Sequence, residues 1–366
     1  MSEYYIGLLS GTSVDGIDAA IIDFSNNQIK VKYTHQQDFS KHLKQGLQNL
    51  IKSQTITLEQ YSDLDSLLAF EFSQAVDCLI NKSNLKRSDI IAIGSHGQTI
   101  YHQPDGNHPN TIQIGSPHKI ASMSGINVVS NFRHLDMAFS GQGAPLAPII
   151  HQKLFEPQDQ NIAVINLGGI ANVSFIGKNY NQIIGFDIGP ANCLLDEWIN
   201  IHKQKAYDED GSWARQGQLN ETLLEQMLND NYFKKLAPKS TGREYFNHKW
   251  YDNFKDQFRL TSATDIQTTL SHLVAVSIEL AITNKSIDKI ILMGGGAKNG
   301  FIIELIEKYS GIPVQISNEY GYDSDWVEAI LFGYLAYKRV NCHKLNLTSF
   351  TGSTRPLLIG DIVTVV

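Results

Sequence analysis

The stretch Tyr4-Tyr-Ile-Gly-Leu-Leu-Ser-Gly-Thr-Ser-Val-Asp-Gly-Ile-Asp-Ala-Ala-Ile-Ile-Asp-Phe24 decides the fold. Tyr4 to Leu9 reads as one strand and Asp18 to Phe24 as a second, both dominated by apolar side chains. Between them, Ser10-Gly-Thr-Ser-Val-Asp-Gly16 consists of residues that turn the chain, so a hairpin with a polar, glycine-bearing tip is expected. Gly11 and Gly16 let backbone N–H groups come close to a phosphate oxygen, and the hydroxyls of Thr12 and Ser13 add donors. Asp15 and Asp18 are unsuited to touch phosphate and better placed to hold the hydrated magnesium that accompanies a nucleotide. An ordinary solvated hairpin turn fits the same residues.

Further along, the pattern returns. Residues 58–81 carry Leu64, Leu67, Leu68, Phe72, Ala75, Val76 and Leu79 at helical spacing, which predicts a long amphipathic helix. Ile90-Ile-Ala-Ile-Gly94 is a short buried-strand run ending at Ser95-His-Gly-Gln-Thr99. Then Ile162-Ala-Val-Ile-Asn-Leu167, Gly168-Gly-Ile-Ala-Asn172 and Val173-Ser-Phe-Ile176 repeat the order strand, glycine-bearing tip, strand. Two such hairpins half a chain apart suggest duplicated α/β domains. Helices are expected from about Ala191, over residues 265–283 and over 326–340, and a buried strand at Lys289-Ile-Ile-Leu-Met293. Strands alternating with helices make the class α/β. No low-complexity linker marks a boundary; the expected lobes are residues 1–131 and 132–366, with the last segment packing back on the first lobe.

Bulk properties narrow the function. A chain of 366 residues is too long for one comfortable core, so two domains are expected. With 42% hydrophobic and 18% charged residues the balance is globular, and 30 basic against 37 acidic residues give −7. That charge, with no basic run, argues against a nucleic-acid partner. The opening Met1-Ser-Glu-Tyr-Tyr-Ile-Gly7 lacks a basic stretch and long apolar run, and no apolar run is long enough to span a bilayer. Cys78, Cys193 and Cys342 fit neither a disulfide framework nor a zinc cluster and read as buried free thiols. The expected setting is the cytoplasm, with no membrane partner; a homodimer is left open.

Two nucleotide motifs are missing: no Gly-x-x-x-x-Gly-Lys-Ser/Thr, and no Gly-x-Gly-x-x-Gly opening a helix after the first strand. Instead Gly294-Gly-Gly296 follows a buried strand, where a surface without side chains suits an adenosine or merely a tight strand–helix crossing. Asp187, in Gly-Phe-Asp-Ile-Gly-Pro190, ends a strand just before a helix, where a carboxylate stays ionised as a base or serves as a cap; Asn192 shares that ambiguity. A lone histidine such as His96 reads as structural more often than catalytic, and nothing makes it a metal ligand. Arg133 and Asp136 could pair with one another, and Lys239-Ser-Thr-Gly-Arg-Glu244 either binds an anion or forms a turn.

Together, these segments resemble one family nearly end to end. Gly7-Leu-Leu-Ser-Gly-Thr-Ser-Val-Asp-Gly-Ile-Asp-Ala19, Ser95-His-Gly-Gln-Thr99, Phe132-Arg133, Gly141-Gln-Gly-Ala-Pro-Leu146, Asn166-Leu-Gly-Gly-Ile-Ala-Asn172, Phe186-Asp187, Gly189-Pro190, Lys239-Ser-Thr-Gly-Arg-Glu244, Gly294-Gly-Gly296, Glu328-Ala329 and Thr351-Gly352 are similar in type and order to the anhydro-N-acetylmuramic acid kinases. Departures are Asn131, where an acid is expected, Phe139 and Ser140, where smaller residues are usual, and Ile188, where threonine is usual.

The resemblance implies a two-lobed, actin-like ATPase (ribonuclease H-like) fold with an ATP cleft between the lobes. It assigns Gly11, Thr12, Ser13, Val14, Asp15, Gly16, Ile17 and Asp18 to ATP, together with Gly168, Gly169, Asn172, Gly294, Gly295 and Gly296. Asp15 and Asp18 would face Mg2+ indirectly, Asp187 would be the base, and His96, Arg133, Asn192 and Glu328 would face the sugar. The implied reaction joins ATP, water and 1,6-anhydro-N-acetylmuramic acid, giving ADP and N-acetylmuramic acid 6-phosphate. An ordinary sugar kinase of the same fold and an actin- or chaperone-like ATPase are the competing readings.

Overall fold

The computed structural model describes residues 2–11, 14, 16–155, 159–178, 180–237, 239–243 and 245–365. Its strands are β1 (Tyr4–Leu9), β2 (Gly16–Asp23), β3 (Lys30–Asp38), β4 (Ile90–Ser95), β5 (Gln98–Gln103), β6 (Asn110–Ile114), β7 (Val128–Ser130), β8 (Asn161–Leu167), β9 (Ile170–Gly177), β10 (Tyr180–Pro190), β11 (Lys289–Met293), β12 (Val314–Ile316) and β13 (Asp361–Val363). They fall into two compact units: Met1–Ile150 with Trp326–Val366, and His151–Asp325.

In the first unit the strand order is β13-β7-β4-β1-β2-β3. β1, β2 and β3 form an antiparallel meander, and β4 and β7 continue it in parallel from β1. The second unit repeats this as β10-β9-β8-β11-β12, again three antiparallel strands followed by two parallel ones. This is the ribonuclease H-like order in each unit, and it bears out the fold class read from the twin hairpins. Parallel neighbours need a crossover, and helices supply it. In the first unit the crossover includes Leu58–Lys82, started by a capping box in which Thr57 and Gln60 each bond the other's backbone. In the second it includes Asn192–Lys203 and Ala263–Ile282.

Each unit has its own core. Ile6, Leu8, Ile17, Ala19 and Ile21 pack against Leu43, Leu47, Leu68 and Phe72 of two helices in the first. Ala163, Ile165, Leu167, Val173 and Phe175 pack against Leu194, Leu270, Val274 and Ile278 in the second. Alternation along β1 and β8 decides which residues face which layer. The opposite face of β1 and β4 meets the helix Val327–Val340, which approaches so closely that a Cβ at Gly7 would lie 2.8 Å from Gly333 N and one at Gly94 3.0 Å from Ala336 Cβ.

A division at residue 131 therefore differs from the units. The chain stays in the first unit to Ile150 because the segment after Asn131 is bonded to the returning C-terminal stretch: Thr351 Oγ1 donates to Asp136 Oδ1 at 2.7 Å and Gln142 N to Thr351 O at 2.8 Å. The three cysteines are free, as expected, but only Cys193 is buried; Cys78 and Cys342 are exposed. Among the described residues no helix is long and apolar enough to cross a membrane.

Candidate active site

In the second unit β8 and β9 are joined by Gly168 and Gly169 alone. Both glycine carbonyls are occupied: Gly168 O accepts from Asn192 N at 3.0 Å, and Gly169 O accepts from Ala191 N at 2.9 Å and Cys193 N at 3.1 Å. Among the described residues neither glycine N–H has an acceptor. The turn thus gives its acceptors to the start of the helix Asn192–Lys203 and leaves its donors open. A Cβ at Gly168 would meet only ordinary contacts, 3.5 Å to Ile170 O and 3.7 Å to Asn166 Nδ2.

Gly294, Gly295 and Gly296 come to the same place, because β11 runs parallel to β8 with Met293 opposite Asn166. Gly294 has φ 79 and Gly296 lies so near that its Cβ would be 2.6 Å from Leu167 Cβ, so both need glycine for packing. Gly295 does not: it is exposed, and the nearest atom to its Cβ would be Asn192 Nδ2 at 3.9 Å. An open surface remains at that position. Asn192 itself donates from Nδ2 to Leu167 O at 2.9 Å, so its amide braces the turn.

Asp187 sits opposite Asn172, which in turn sits opposite Asn166, so three polar residues form one row across β8, β9 and β10 at the turn end of the sheet. Directly opposed residues project to the same face. The segment after Tyr232 brackets Asp187: Asp187 N donates to Lys239 O at 3.0 Å, Thr241 N donates to Asp187 Oδ2 at 3.0 Å, and Tyr232 Oη donates to Asp187 O at 2.7 Å. Burial, helped by the charge of Asp187, drives the Tyr232 phenol far above its ordinary pKa and keeps it a donor. Lys239 lies 4.6 Å over the Tyr232 ring, and burial lowers its ammonium below the usual lysine range.

The first unit holds a second polar cluster. Arg133 Nε donates to His96 Nε2 at 3.0 Å while His96 Nδ1 bonds Gly97 O at 3.1 Å, which assigns a neutral imidazole protonated on Nδ1. Burial first, and then the Arg133 charge, push the His96 pKa well below its ordinary value. Arg133 and Asp136 do not bond each other. Arg133 Nη1 donates to Gly143 O at 2.7 Å and Asp136 Oδ2 accepts from Gly143 N at 2.7 Å, so together they clamp one residue of the Gly141–Pro145 loop. Asp136 is fully buried, and burial raises its pKa against the bonds from Thr351 and Gly143. Glu328, on the first turn of Val327–Val340, is within electrostatic reach of Arg133; desolvation of the carboxyl raises its pKa and that charge opposes the rise.

Of the first hairpin, Gly11, Val14, Gly16, Ile17 and Asp18 are described, whereas Thr12, Ser13 and Asp15 lie outside the described residues. Val14 is buried at φ 58, a costly conformation for a β-branched side chain, and its N–H donates to Gly11 O at 3.1 Å. Asp18 is half-buried, opposite Leu9 on β1 and Gln36 on β3.

The family model for anhydro-N-acetylmuramic acid kinase matches residues 3–365. The chain belongs to the anhydro-N-acetylmuramic acid kinase family. An anhydro-N-acetylmuramic acid kinase of Shewanella denitrificans is 42% identical over 361 residues, covering 98% of this chain and 97% of that protein. One from Shewanella loihica is 42% identical over 367 residues, covering 98% of each. Among solved structures, component A of the (R)-2-hydroxyglutaryl-CoA dehydratase of Acidaminococcus fermentans has a TM-score of 0.48 at 11% identity, over 93% of this chain and 99% of that one.

The second unit of this family member brings together Asp187, Gly168, Gly169, Asn172, Asn192 and Gly294 to Gly296. His96, Arg133 and Glu328 gather in the first unit. Sequence reasoning missed Tyr232, which carries no motif, and Asp136 as a clamp between the Gly143 loop and Thr351, which lies 215 residues away. Asn131, a departure from the family pattern, has φ 58 and donates from Nδ2 to Asp361 Oδ2 at 2.6 Å, a bond that an aspartate there could not make while ionised.

Proposed function

We propose that this protein uses ATP and water to open the 1,6-anhydro bridge of 1,6-anhydro-N-acetylmuramic acid and phosphorylate O6, releasing ADP and N-acetylmuramic acid 6-phosphate in cytoplasmic peptidoglycan recycling. The observation that carries this reading is the position of Asp187. Its carboxylate is held by Thr241 N in a polar row that ends beside a turn with open N–H donors and a glycine triplet.

The anhydro sugar ties O6 to C1, so O6 has no proton for a base to remove. Asp187 instead takes a proton from water as the water oxygen attacks C1. The C1–O6 bond breaks, O6 attacks the γ-phosphorus, and the bond from that phosphorus to the bridging oxygen of ADP breaks. The open N–H groups of Gly168 and Gly169 donate to phosphate oxygens, and Gly295 leaves room for the adenosine. Gly11, Val14, Gly16, Ile17 and Asp18 belong to the nucleotide in the same reading, with Thr12, Ser13 and Asp15. His96, Arg133 and Glu328 face the sugar. Asn192, whose amide is bonded to Leu167 O, supports the turn.

Among the described residues no group of three or more His, Cys, Asp or Glu forms a metal cage. Magnesium keeps several waters and travels with nucleotide phosphates, so the hard carboxylate oxygens of Asp18 and Asp15 are the groups that would hold its waters. When bound, the ion neutralises phosphate charge.

The test is ADP release from ATP with the anhydro sugar, with its hydrolysed form, or with neither. Turnover with the anhydro sugar alone is expected, and in ¹⁸O-water the label should enter C1 and not the phosphoryl group. Asp187→Asn should lower kcat by about 10²- to 10⁴-fold with little change in ligand binding. Label in phosphate, or full activity in the asparagine variant, would overturn the mechanism.

A further inference from the structure

The mechanism leaves Arg243 unused. It is exposed, yet its guanidinium lies directly over the Gly168–Gly169 turn: a Cβ at Gly169 would be 2.8 Å from Arg243 Nε and 2.9 Å from Nη2. Glycine at 169 is what lets the guanidinium come so close. Among the described residues that guanidinium donates no hydrogen bond and makes no ion pair. Two open backbone donors and an uncommitted five-donor fork therefore occupy one small surface.

The surroundings hold the arginine there without consuming it. Its backbone carbonyl accepts from Asn247 Nδ2 at 2.9 Å, and Thr241, two residues before it, is tied to Asp187. One short segment thus fixes both the carboxylate and the guanidinium. Asp196, one turn into the helix that the glycine carbonyls cap, is pushed up to about 6 by burial, with the Arg243 charge opposing the rise. Glu197 on the same helix is raised by burial, with the charges of His248 and Arg243 opposing. These acids balance the arginine's charge at a distance, and its donors stay open for an anion.

We propose that Arg243 is a phosphoryl-binding residue, donating its fork to oxygens of the nucleotide's terminal phosphate above the Gly168–Gly169 turn. The inference rests on the proposed placement of ATP phosphates at that turn. Guanidinium suits the role because its planar donors match two phosphate oxygens at once, which the single ammonium of lysine does not. The transferring phosphoryl group is the anion whose charge most needs stabilising there. The same chemistry would recognise the sugar's lactyl carboxylate, so the experiment separates the two.

Full-length Arg243→Gln, Arg243→Lys and Gly168→Val proteins are titrated calorimetrically with ADP and with a non-hydrolysable ATP analogue, and KM for each substrate is measured with kcat. Arg243→Gln should weaken the analogue by about 10- to 100-fold, leave ADP closer to wild type and keep the sugar KM within about twofold. Arg243→Lys should recover only part of the loss. An unchanged unfolding midpoint is expected for both, since the side chain is exposed and unbonded. Gly168→Val, where only ordinary contacts surround the new side chain, should abolish binding of both nucleotides. If it does, while Arg243→Gln binds the analogue normally, the arginine proposal alone fails. A raised sugar KM with normal nucleotide affinity also overturns it and gives Arg243 to the carboxylate. Normal nucleotide binding by Gly168→Val overturns the phosphate reading of the turn itself, and with it this proposal.

Discussion

The two units share a strand order and strand directions but solve the same packing problem in different ways. In the first, the inner strands β1 and β4 carry Gly7 and Gly94, and the helix Val327–Val340 lies almost on their backbones, with its own Gly333 against Gly7 and Ile22 on that face. In the second, the equivalent β8 and β11 contain no glycine, and side chains such as Ala163, Ile165 and Leu292 fill the space to the helices. Their turns differ too. Residues 10–15 join β1 to β2, whereas Gly168 and Gly169 alone join β8 to β9. The row one pair in from the end of the second hairpin is Asn166, Asn172 and Asp187; the same row of the first is Leu8, Ala19 and His35. A duplicated scaffold therefore does not carry duplicated chemistry. The candidate base has no counterpart in the first unit.

The largest effect expected from this contrast is on stability. Gly7→Val would drive a side chain into the Ala329 carbonyl, a backbone group that cannot move without shifting the helix. We expect a loss of about 3 kcal/mol or more in denaturant unfolding. A glycine substitution in the turn of the other unit, Gly168→Ala, meets only ordinary contacts and should cost less than about 1 kcal/mol. Equal losses in the two variants would erase the distinction between a glycine kept for packing and one kept for a ligand.

A smaller effect distinguishes the units by their histidines. His96 in the first is kept neutral by burial and by the Arg133 guanidinium that donates to it. His151 in the second is 1% exposed, bonded to Ser174 Oγ at 2.9 Å, and pushed down to about 3 by burial. A histidine depressed in the folded state stabilises it above its unfolded pKa, near 6.5, and loses that contribution as the pH falls. His151 should then lose about 2 kcal/mol between pH 7 and pH 5. Asp196, raised to about 6, works in the opposite direction, since its folded state favours the proton and gains as the pH falls. Comparing His151→Gln with wild type isolates the histidine: the variant's stability should fall less steeply over that range. Parallel pH profiles would show that His151 does not titrate as its burial requires.

What the sequence made legible follows the strength of local signals. β1 and β11 fall at the residues expected, and the helices at 58–82 and 327–340 within one residue at their ends, because each has a clear apolar period bounded by turn residues. β3 was not foreseen, since Lys30–Asp38 carries only Val31 and Tyr33 among polar residues and owes its form to pairing with β2. β12 and β13 are short edge strands set by tertiary pairing, beyond the reach of a periodicity argument. At the site, the glycine turns and Asp187 were visible as motifs. Tyr232 and the clamp of Asp136 were not, because each depends on a partner 45 to 215 residues away.

The smallest effect concerns Asn131, where this chain departs from its family. The residue has φ 58, a region that asparagine and aspartate both tolerate better than most residues, so Asn131→Asp changes charge without demanding a new backbone. It replaces a donor 2.6 Å from Asp361 Oδ2 with a second carboxylate, at the junction that joins β7 to β13. Because Asp361 is exposed, water and salt screen most of the repulsion, and we expect a loss of about 0.5–1 kcal/mol at low ionic strength. The origin is checkable. If the loss is repulsion, it shrinks in about 1 M salt. Asn131→Gly keeps the left-handed backbone and removes only the bond, so its loss should be smaller than that of the aspartate and insensitive to salt. A loss in the aspartate variant that salt does not reduce would mean that asparagine is held there for its packing, and the charge argument for this departure would fall.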